Sequence, residues 1–394
     1  MRSSQDRILT THAGSLPRSP ELQALHARKF AGEPIDEAAL AATADAAMRE
    51  TVAKQIEAGL DVVNNGEVGR ESFFTYVRHR MTGFGGVSQR PVMEDLTRYP
   101  GFFQWLTRVA LRDDRVNLLE APRAIGAVAY IDRKAIDQEC AQLQAALAEH
   151  RGRFVEAFVS SPSPGIIAAA MQNDHYPDLD TYVGAVAAAL TQEYAAIVEN
   201  GFVLQIDAPD LAMERHTLFQ GKPIEDFLDF VRLVIAAINR SVERLPRERV
   251  RLHVCWGNYE GPHDADVPLE EIWSEIRKAQ VGGVLLSMAN PRHEHEWRVF
   301  ADGSLPEGWL LIPGVIDTTT NYVEHPRAVA DRIERVARAI GDPTRVLAGT
   351  DCGFETASGL GTVAQDVVWQ KLRSLAQGAA LASRRLYGQA VLGT

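Results

Sequence analysis

The alternation of short β-branched runs with amphipathic helices constrains this chain most. Strand candidates begin at residues 61, 125, 154, 203, 250, 283, 310 and 345, among them Val203-Leu-Gln-Ile-Asp207, Val250-Arg-Leu-His-Val-Cys255 and Gly283-Val-Leu-Leu-Ser287. Between them, apolar residues recur at three- and four-residue spacing over 35–60, 181–200, 224–245, 269–279 and 325–340, and 365–386 closes the chain as a helix. Such a β/α rhythm predicts a mostly parallel sheet covered by helices. Eight strand signals match the number that closes a (β/α)8 TIM barrel. The competing open, doubly wound sheet would carry a glycine-rich phosphate turn, and none is present. We therefore expect an α/β fold with one TIM-barrel domain over residues 1–394. Residues 88–120, with Pro91, Pro100, Gly101, Phe102, Phe103 and Trp105, break the rhythm and read as an insertion or lid. The first 30 or so residues read as an irregular arm.

Composition excludes several classes. With 41 Lys and Arg against 52 Asp and Glu, the formal charge is −11, which argues against a general nucleic-acid partner. No apolar run reaches the ~18 residues of a membrane helix, and Met1 to Leu9 lacks the apolar core of a signal peptide. Three cysteines, Cys140, Cys255 and Cys352, cannot build a disulfide framework and fit a reducing cytoplasm. Cys140 falls in a helical run and is expected to pack in the core. A homo-oligomer stays open.

Polar residues gather after the strands: Asn64, Asn65 and Glu67; Ser160, Ser161 and Ser163; Asp207 and Asp210; His253 and Cys255; Asn290, Arg292, His293 and His295; Asp317; Asp351 and Cys352. In a barrel they would rim the C-terminal face, where the chemistry of this architecture sits; the plainer reading is that loops are polar. In His253-Val-Cys255 two potential ligands lie two apart on a strand and face one side. Cys352, after another strand, could converge on them. Zinc accepts such N/S donors, and three dispersed ligands with an open position suit a catalytic rather than a structural site. A buried structural His and Cys is the competing reading. Zinc already holding two thiolates activates water modestly but anchors a further thiol well, deprotonating it at neutral pH.

These residues resemble a known family. Thr11-His-Ala-Gly-Ser-Leu-Pro-Arg-Ser-Pro-Glu21 is similar to the N-terminal arm motif of the C-terminal barrel of cobalamin-independent methionine synthase. Asn65-Gly-Glu-Val-Gly69, Gln205-Ile-Asp-Ala-Pro-Asp-Leu-Ala212, Leu252-His-Val-Cys-Trp-Gly257, Gly261-Pro-His263, Asn290 to Val299, Pro313-Gly-Val315, Glu324-His-Pro-Arg327 and Thr350-Asp-Cys-Gly353 extend the match. Within that superfamily, which includes uroporphyrinogen decarboxylase, the nearer resemblance is to epoxyalkane:coenzyme M transferase. It implies a TIM barrel with Zn2+ on His253, Cys255 and Cys352. It also implies alkyl transfer to a small thiol, held as thiolate at the metal, from a methyl or epoxide-type carbon donor. In the methionine synthases, the residues matching Ser15, Glu67 and Asp207 hold the amino-acid end of homocysteine. The chain is too short for the second, N-terminal barrel of the full-length methionine synthases.

Two departures stand out. Where the family often has a Glu ligand ending the sixth strand, this chain has Ser287, leaving water, substrate thiol, Glu294 or Glu296 for the fourth position. Where the family places a histidine after Pro-Gly-Val, this chain has Asp317-Thr-Thr-Thr320, so His12, His263, His293 and His295 become candidates for the proton donor, against a plain loop role for each. Arg18, Arg70 and Arg292 could grip an anionic end group, and Asn290 is expected to touch substrate. Phe73, Phe74 and Tyr76 wall a pocket or belong to the core. The alternatives are methyl transfer from methyltetrahydrofolate to homocysteine, a C–S lyase or dealkylase running in reverse, and a metal-free decarboxylase-like or binding barrel.

Overall fold

A computed structural model describes residues 1–110, 116 and 118–388. Eight parallel strands form one sheet: β1 (Leu9–Thr10), β2 (Val62–Val63), β3 (Glu156–Pro162), β4 (Val203–Asp207), β5 (Val250–Val254), β6 (Gly283–Leu286), β7 (Leu310–Ile316) and β8 (Leu347–Thr350). Spatial order follows chain order from β2 to β8, and β1 returns to pair with β8, Leu9 against Leu347. The result is a nearly closed (β/α)8 TIM barrel sheathed by helices. At the seam between β1 and β2, Asp61 joins the two sides through its backbone amide, which donates to Thr10 O at 3.2 Å, and through its side chain. The Asp61 carboxylate accepts from Thr10 N at 2.9 Å and Thr10 Oγ1 at 3.0 Å, and both Arg7 terminal nitrogens grip it at 2.8 and 2.6 Å.

Buried strands on both faces explain the near-continuous apolar runs. Outward residues such as Leu204, Ile206, Leu252 and Val254 join the large core beneath the helices. Inward residues Leu9, Val62, Phe158, Val203, Leu285, Leu310, Ile312 and Leu347 fill the floor of the barrel. The helices begin and end near their expected bounds: Glu37–Glu57, where Asp36 caps Ala38 N and Ala39 N, then Leu179–Glu199, Ile224–Val242, Leu269–Ile276, Pro326–Ile340 and Gln365–Tyr387.

Two expectations need correction. The run from Ile125 is not a barrel strand. Arg123–Ala124 pairs antiparallel with Phe84–Gly85 outside the barrel, and Ile125 and Ile131 are 57% and 58% exposed, as no doubly covered strand could be. The arm is not irregular throughout: it supplies β1, whose two residues are too short to carry a periodic signal. The count of eight survives because these two errors cancel. The insertion holds helices Glu94–Arg98 and Pro100–Ala110; its residues 111–115 and 117 lie outside the described residues. Cys140 is fully buried on helix Lys134–Ala148, as expected.

Candidate metal centre and its cavity

Strand periodicity builds the site. On β4, Val203, Gln205 and Asp207 share one face, and on β5 so do Arg251, His253 and, just beyond, Cys255. Register places Gln205 beside Arg251 and Asp207 beside His253. The side chains follow: Arg251 Nε donates to Gln205 Oε1 at 2.9 Å, and His253 Nδ1 meets Asp207 Oδ1 at 3.0 Å. Height along each strand thus sorts the lumen into an apolar floor, a polar middle and a reactive top.

Cys352 arrives from β8, where the pairing with β7 slips between Gly349 and Thr350. Beside it the Asp351 carboxylate accepts from Met288 N and Ala289 N at 2.8 Å, and from Asn290 N and Nδ2 at 2.9 Å. That clamp fixes the loop after β6. It requires a glycine at 314, where a Cβ would lie 2.0 Å from Asp351 Oδ1.

One donor atom from each of His253, Cys255 and Cys352 lies within 4.8 Å of the others, and all three residues are buried. They share protons tightly. A hydrogen bond from the Cys352 thiol, aided by His253, holds Cys255 far below the usual thiol range despite burial. The same bond and burial push Cys352 far above it. Burial pulls His253 down, but the Cys255 thiolate and Asp207 outweigh it and hold the ring at about 10. Ser287 Oγ donates to Asp351 O at 2.9 Å and stands 3.9 Å from Cys352 Sγ. Neither carboxylate considered for the fourth position is there: Glu294 is exposed, and Glu296 accepts from Leu269 N at 3.1 Å near His293.

Beside this cluster Glu67 and Asp207 form a buried carboxylate pair. Glu67 follows β2 in a left-handed conformation at φ +56°, its amide bonded to Asn65 Oδ1 at 3.0 Å and its carbonyl held by Arg18 at 2.7 Å. Its Oε1 accepts from Ser160 Oγ at 2.7 Å, while Oε2 is buried with no hydrogen-bond partner. Burial and the charge of Asp207 push Glu67 up to about 7. Gly14 leaves room for Glu67 Oε1, which a Cβ would meet at 2.3 Å, and Ser15 Oγ fills the space a Cβ of Gly353 would need.

Other expected residues fall in different places. His12 is fully buried: Nε2 meets Gln55 Oε1 at 2.9 Å, Nδ1 accepts from Gly14 N at 3.3 Å, and burial pushes the ring down to about 4. It supports the Gly14 turn. Arg18 is bonded to the carbonyls of Glu67 and Glu355 and faces the Glu355 carboxylate, and Arg70 meets Ser160 O, the Glu139 carboxylate and the Tyr76 ring. Asn290 serves the Asp351 clamp. Phe74 and Tyr76 belong to the core. His263, His293 and the exposed Arg292 line a cavity of about 240 Å³ together with Ser287, Asp317, Asp351 and Cys352. Sequence reasoning passed over Asp266, which bonds to both histidines, and His216, which faces Asp266; the spacing His263-x-x-Asp266 was the available signal.

No family model matches the chain. It is 22% identical to a methionine synthase of Sulfurisphaera tokodaii over 378 residues, covering 96% of this chain and 93% of that protein. It is 24% identical to a methionine synthase of Saccharolobus solfataricus over 374 residues, covering 94% and 93%. Among solved structures it resembles a B12-independent methionine synthase from Shewanella sp. W3-18-1 in complex with selenomethionine. There the TM-score is 0.73 at 21% identity, over 97% of this chain and 100% of that one. A putative vitamin-B12-independent methionine synthase from Listeria monocytogenes gives a TM-score of 0.63 at 18% identity, over 95% and 98%. The chain thus shares its fold with the two solved structures, and nearly its whole length aligns with named methionine synthases.

Proposed function

We propose that this protein is a cobalamin-independent, zinc-dependent methyltransferase acting on homocysteine, with a methyltetrahydrofolate-type donor. The observation that carries this reading is the buried, mutually repelling Glu67–Asp207 pair, whose Asp207 is bonded to His253 of the cysteine cluster. Two repelling carboxylates, one with an unpartnered oxygen, form a receptor for an ammonium group. They disfavour the sulfonate of coenzyme M, so homocysteine replaces the coenzyme M reading as the preferred thiol. The names of the relatives support the same choice.

The donor set suits zinc. Neighbouring groups favour the thiolate of Cys255, and Asp207 on His253 Nδ1 leaves Nε2, which faces the Asp351 carbonyl at 3.2 Å, to ligate once its proton is displaced, with the outer carboxylate support common to zinc histidines. His253, Cys255 and Cys352 would hold the ion, which supplies a Lewis acid that keeps a thiol deprotonated near pH 7. The protein's own groups do the rest. Asp207 orients His253, Glu67 and Asp207 seat the substrate ammonium, and Ser15 and Gly14 close the pocket beside them. Arg292 at the cavity rim suits the carboxylates of a folate tail. A proton for the departing donor nitrogen comes from the His263–Asp266–His293 group on the cavity wall.

Nearly end-to-end alignment with the relatives supports a single barrel domain. A close pair of free thiols suits a reducing compartment, which favours the cytoplasm. No helix among the described residues is long and apolar enough to cross a membrane.

The test is a screen of zinc-loaded protein pairing homocysteine, coenzyme M, cysteine and glutathione with methyl donors and epoxides, and incubating thioethers with a thiol-trapping dye. Methionine formed from homocysteine and a methylated folate is the expected result. Turnover confined to coenzyme M with an epoxide, or thiol release from thioethers alone, would overturn it.

A further inference from the structure

We infer that His263, Asp266 and His293 form a second divalent-cation site, distinct from the cysteine centre, of the kind that takes Zn2+ or Co2+. Asp266 Oδ2 lies 2.8 Å from His263 Nδ1 and 2.7 Å from His293 Nε2, and the three donor atoms fall within 4.8 Å of one another. The decisive feature is what the other ring atoms do. His263 Nε2 is 3.0 Å from the Tyr259 carbonyl, which can only accept, so that nitrogen carries the hydrogen. His293 Nδ1 lies 3.5 Å from the Glu296 carboxylate and is buried without a hydrogen bond. In its neutral form His263 therefore turns a lone pair toward the same Asp266 oxygen that meets His293 Nε2. Only added protons or a cation can satisfy such a convergence.

Outer partners complete the pattern. Metal-binding imidazoles usually donate their far nitrogen to a carbonyl or a carboxylate, and His263 does so to the Tyr259 carbonyl. The remaining Asp266 oxygen faces His216 Nδ1 at 3.2 Å. Neither His216 nitrogen nor Asp266 Oδ1 makes a hydrogen bond, although His216 is fully buried and Asp266 is 6% exposed. Trp256 stacks on His293 at 4.0 Å and Tyr259 on His263 at 4.2 Å, so both rings are held in plane. Tetrahedral bonds of ~2.1 Å put donor atoms ~3.4 Å apart, so ion entry asks for an opening of about 0.6 Å at each nitrogen. The nitrogen-rich set suits zinc or cobalt over magnesium or calcium. His263 and His293 line the cavity that also reaches Cys352, which gives the ion a path in. The site shares its side chains with the proton source of the methyltransferase reading. It bears on it in one respect: an ion there and a transferable proton on His293 exclude each other.

Titration of chelator-stripped protein with Co2+, followed by calorimetry and absorption, tests this. Two binding events are expected, one carrying the near-ultraviolet thiolate-to-cobalt band and one with visible ligand-field absorption alone. His263→Ala/His293→Ala should abolish the second and keep the thiolate band, while Cys255→Ser/Cys352→Ser does the reverse. Asp266→Asn, which keeps the side-chain shape, should weaken the second event at least 10-fold. A single event whose affinity and spectrum are unchanged in Asp266→Asn and in the double histidine variant overturns the inference. Loss of the thiolate band in the wild type would instead count against the cysteine centre alone.

Discussion

Glu67 concentrates the chemistry of the site in one side chain: a strained backbone, a buried unpartnered oxygen and a carboxylate neighbour. If it receives the substrate ammonium, Glu67→Gln should raise KM for homocysteine about 10- to 100-fold, the worth of a charge-assisted hydrogen bond of ~1.5–3 kcal/mol. A small thiol without an amino group should lose little. Steady-state kinetics with both thiols decide it, and equal losses would remove the ammonium role. Asp207→Asn acts on the metal instead: a chelator-competition assay should show zinc affinity falling about 10- to 100-fold, the usual effect of losing a carboxylate behind a ligand histidine. The placement of His253 and Cys255 was legible in the sequence, because strand parity fixes their face, and so was that of Asp207, which ends β4; Glu67, in the loop after β2, came through the family resemblance. The fate of the arginines was not. Whether Arg18 meets a ligand or two backbone carbonyls depends on residues more than 300 positions away, such as Glu355.

At the level of elements, the end of β8 is the least forgiving part of the site. Asp351 can clamp the loop after β6 only because β7 has Gly314 beneath it. Gly314→Ala should therefore cost ~1–3 kcal/mol, the range for overpacking a full interior, and should lower bound zinc by displacing the neighbouring Cys352. Urea unfolding and metal analysis on the same sample check both, and unchanged metal content would separate the clamp from the ligand. Long helices and β3 to β8 declare themselves by period and β-branched content. The two-residue β1 does not, since a ladder of that length leaves no alternation to read. The slip between β7 and β8 escapes the sequence for a related reason: parity counts residues, and a register shift changes the count.

The whole molecule carries opposing proton linkages. Glu67 stands at about 7 when folded against 4.5 for the free side chain, so the folded state binds more protons between those values, and its contribution to stability falls as pH rises through that window. His12 and His26, pushed down to about 4 by burial, act the other way: stability falls as pH drops from 6.5 toward 4. Metal-free wild type and Glu67→Gln, compared by urea unfolding from pH 4.5 to 7, should diverge in the variant's favour as pH rises, by up to ~1.4 kcal/mol per pH unit. Parallel profiles would mean that Glu67 titrates normally.

The return of β1 to β8 carries a consequence for biosynthesis. Leu9 pairs with Leu347, 347 − 9 = 338 residues later. At ~5–20 residues per second, that partner leaves the ribosome on the order of 20–70 s after Leu9 does. Through that interval the growing barrel has two open edges, β2 on one side and the newest strand on the other. The step that joins Leu9 to β8 also brings Ser15 against Gly353, so a nascent chain cannot complete the substrate pocket before its last strand has emerged.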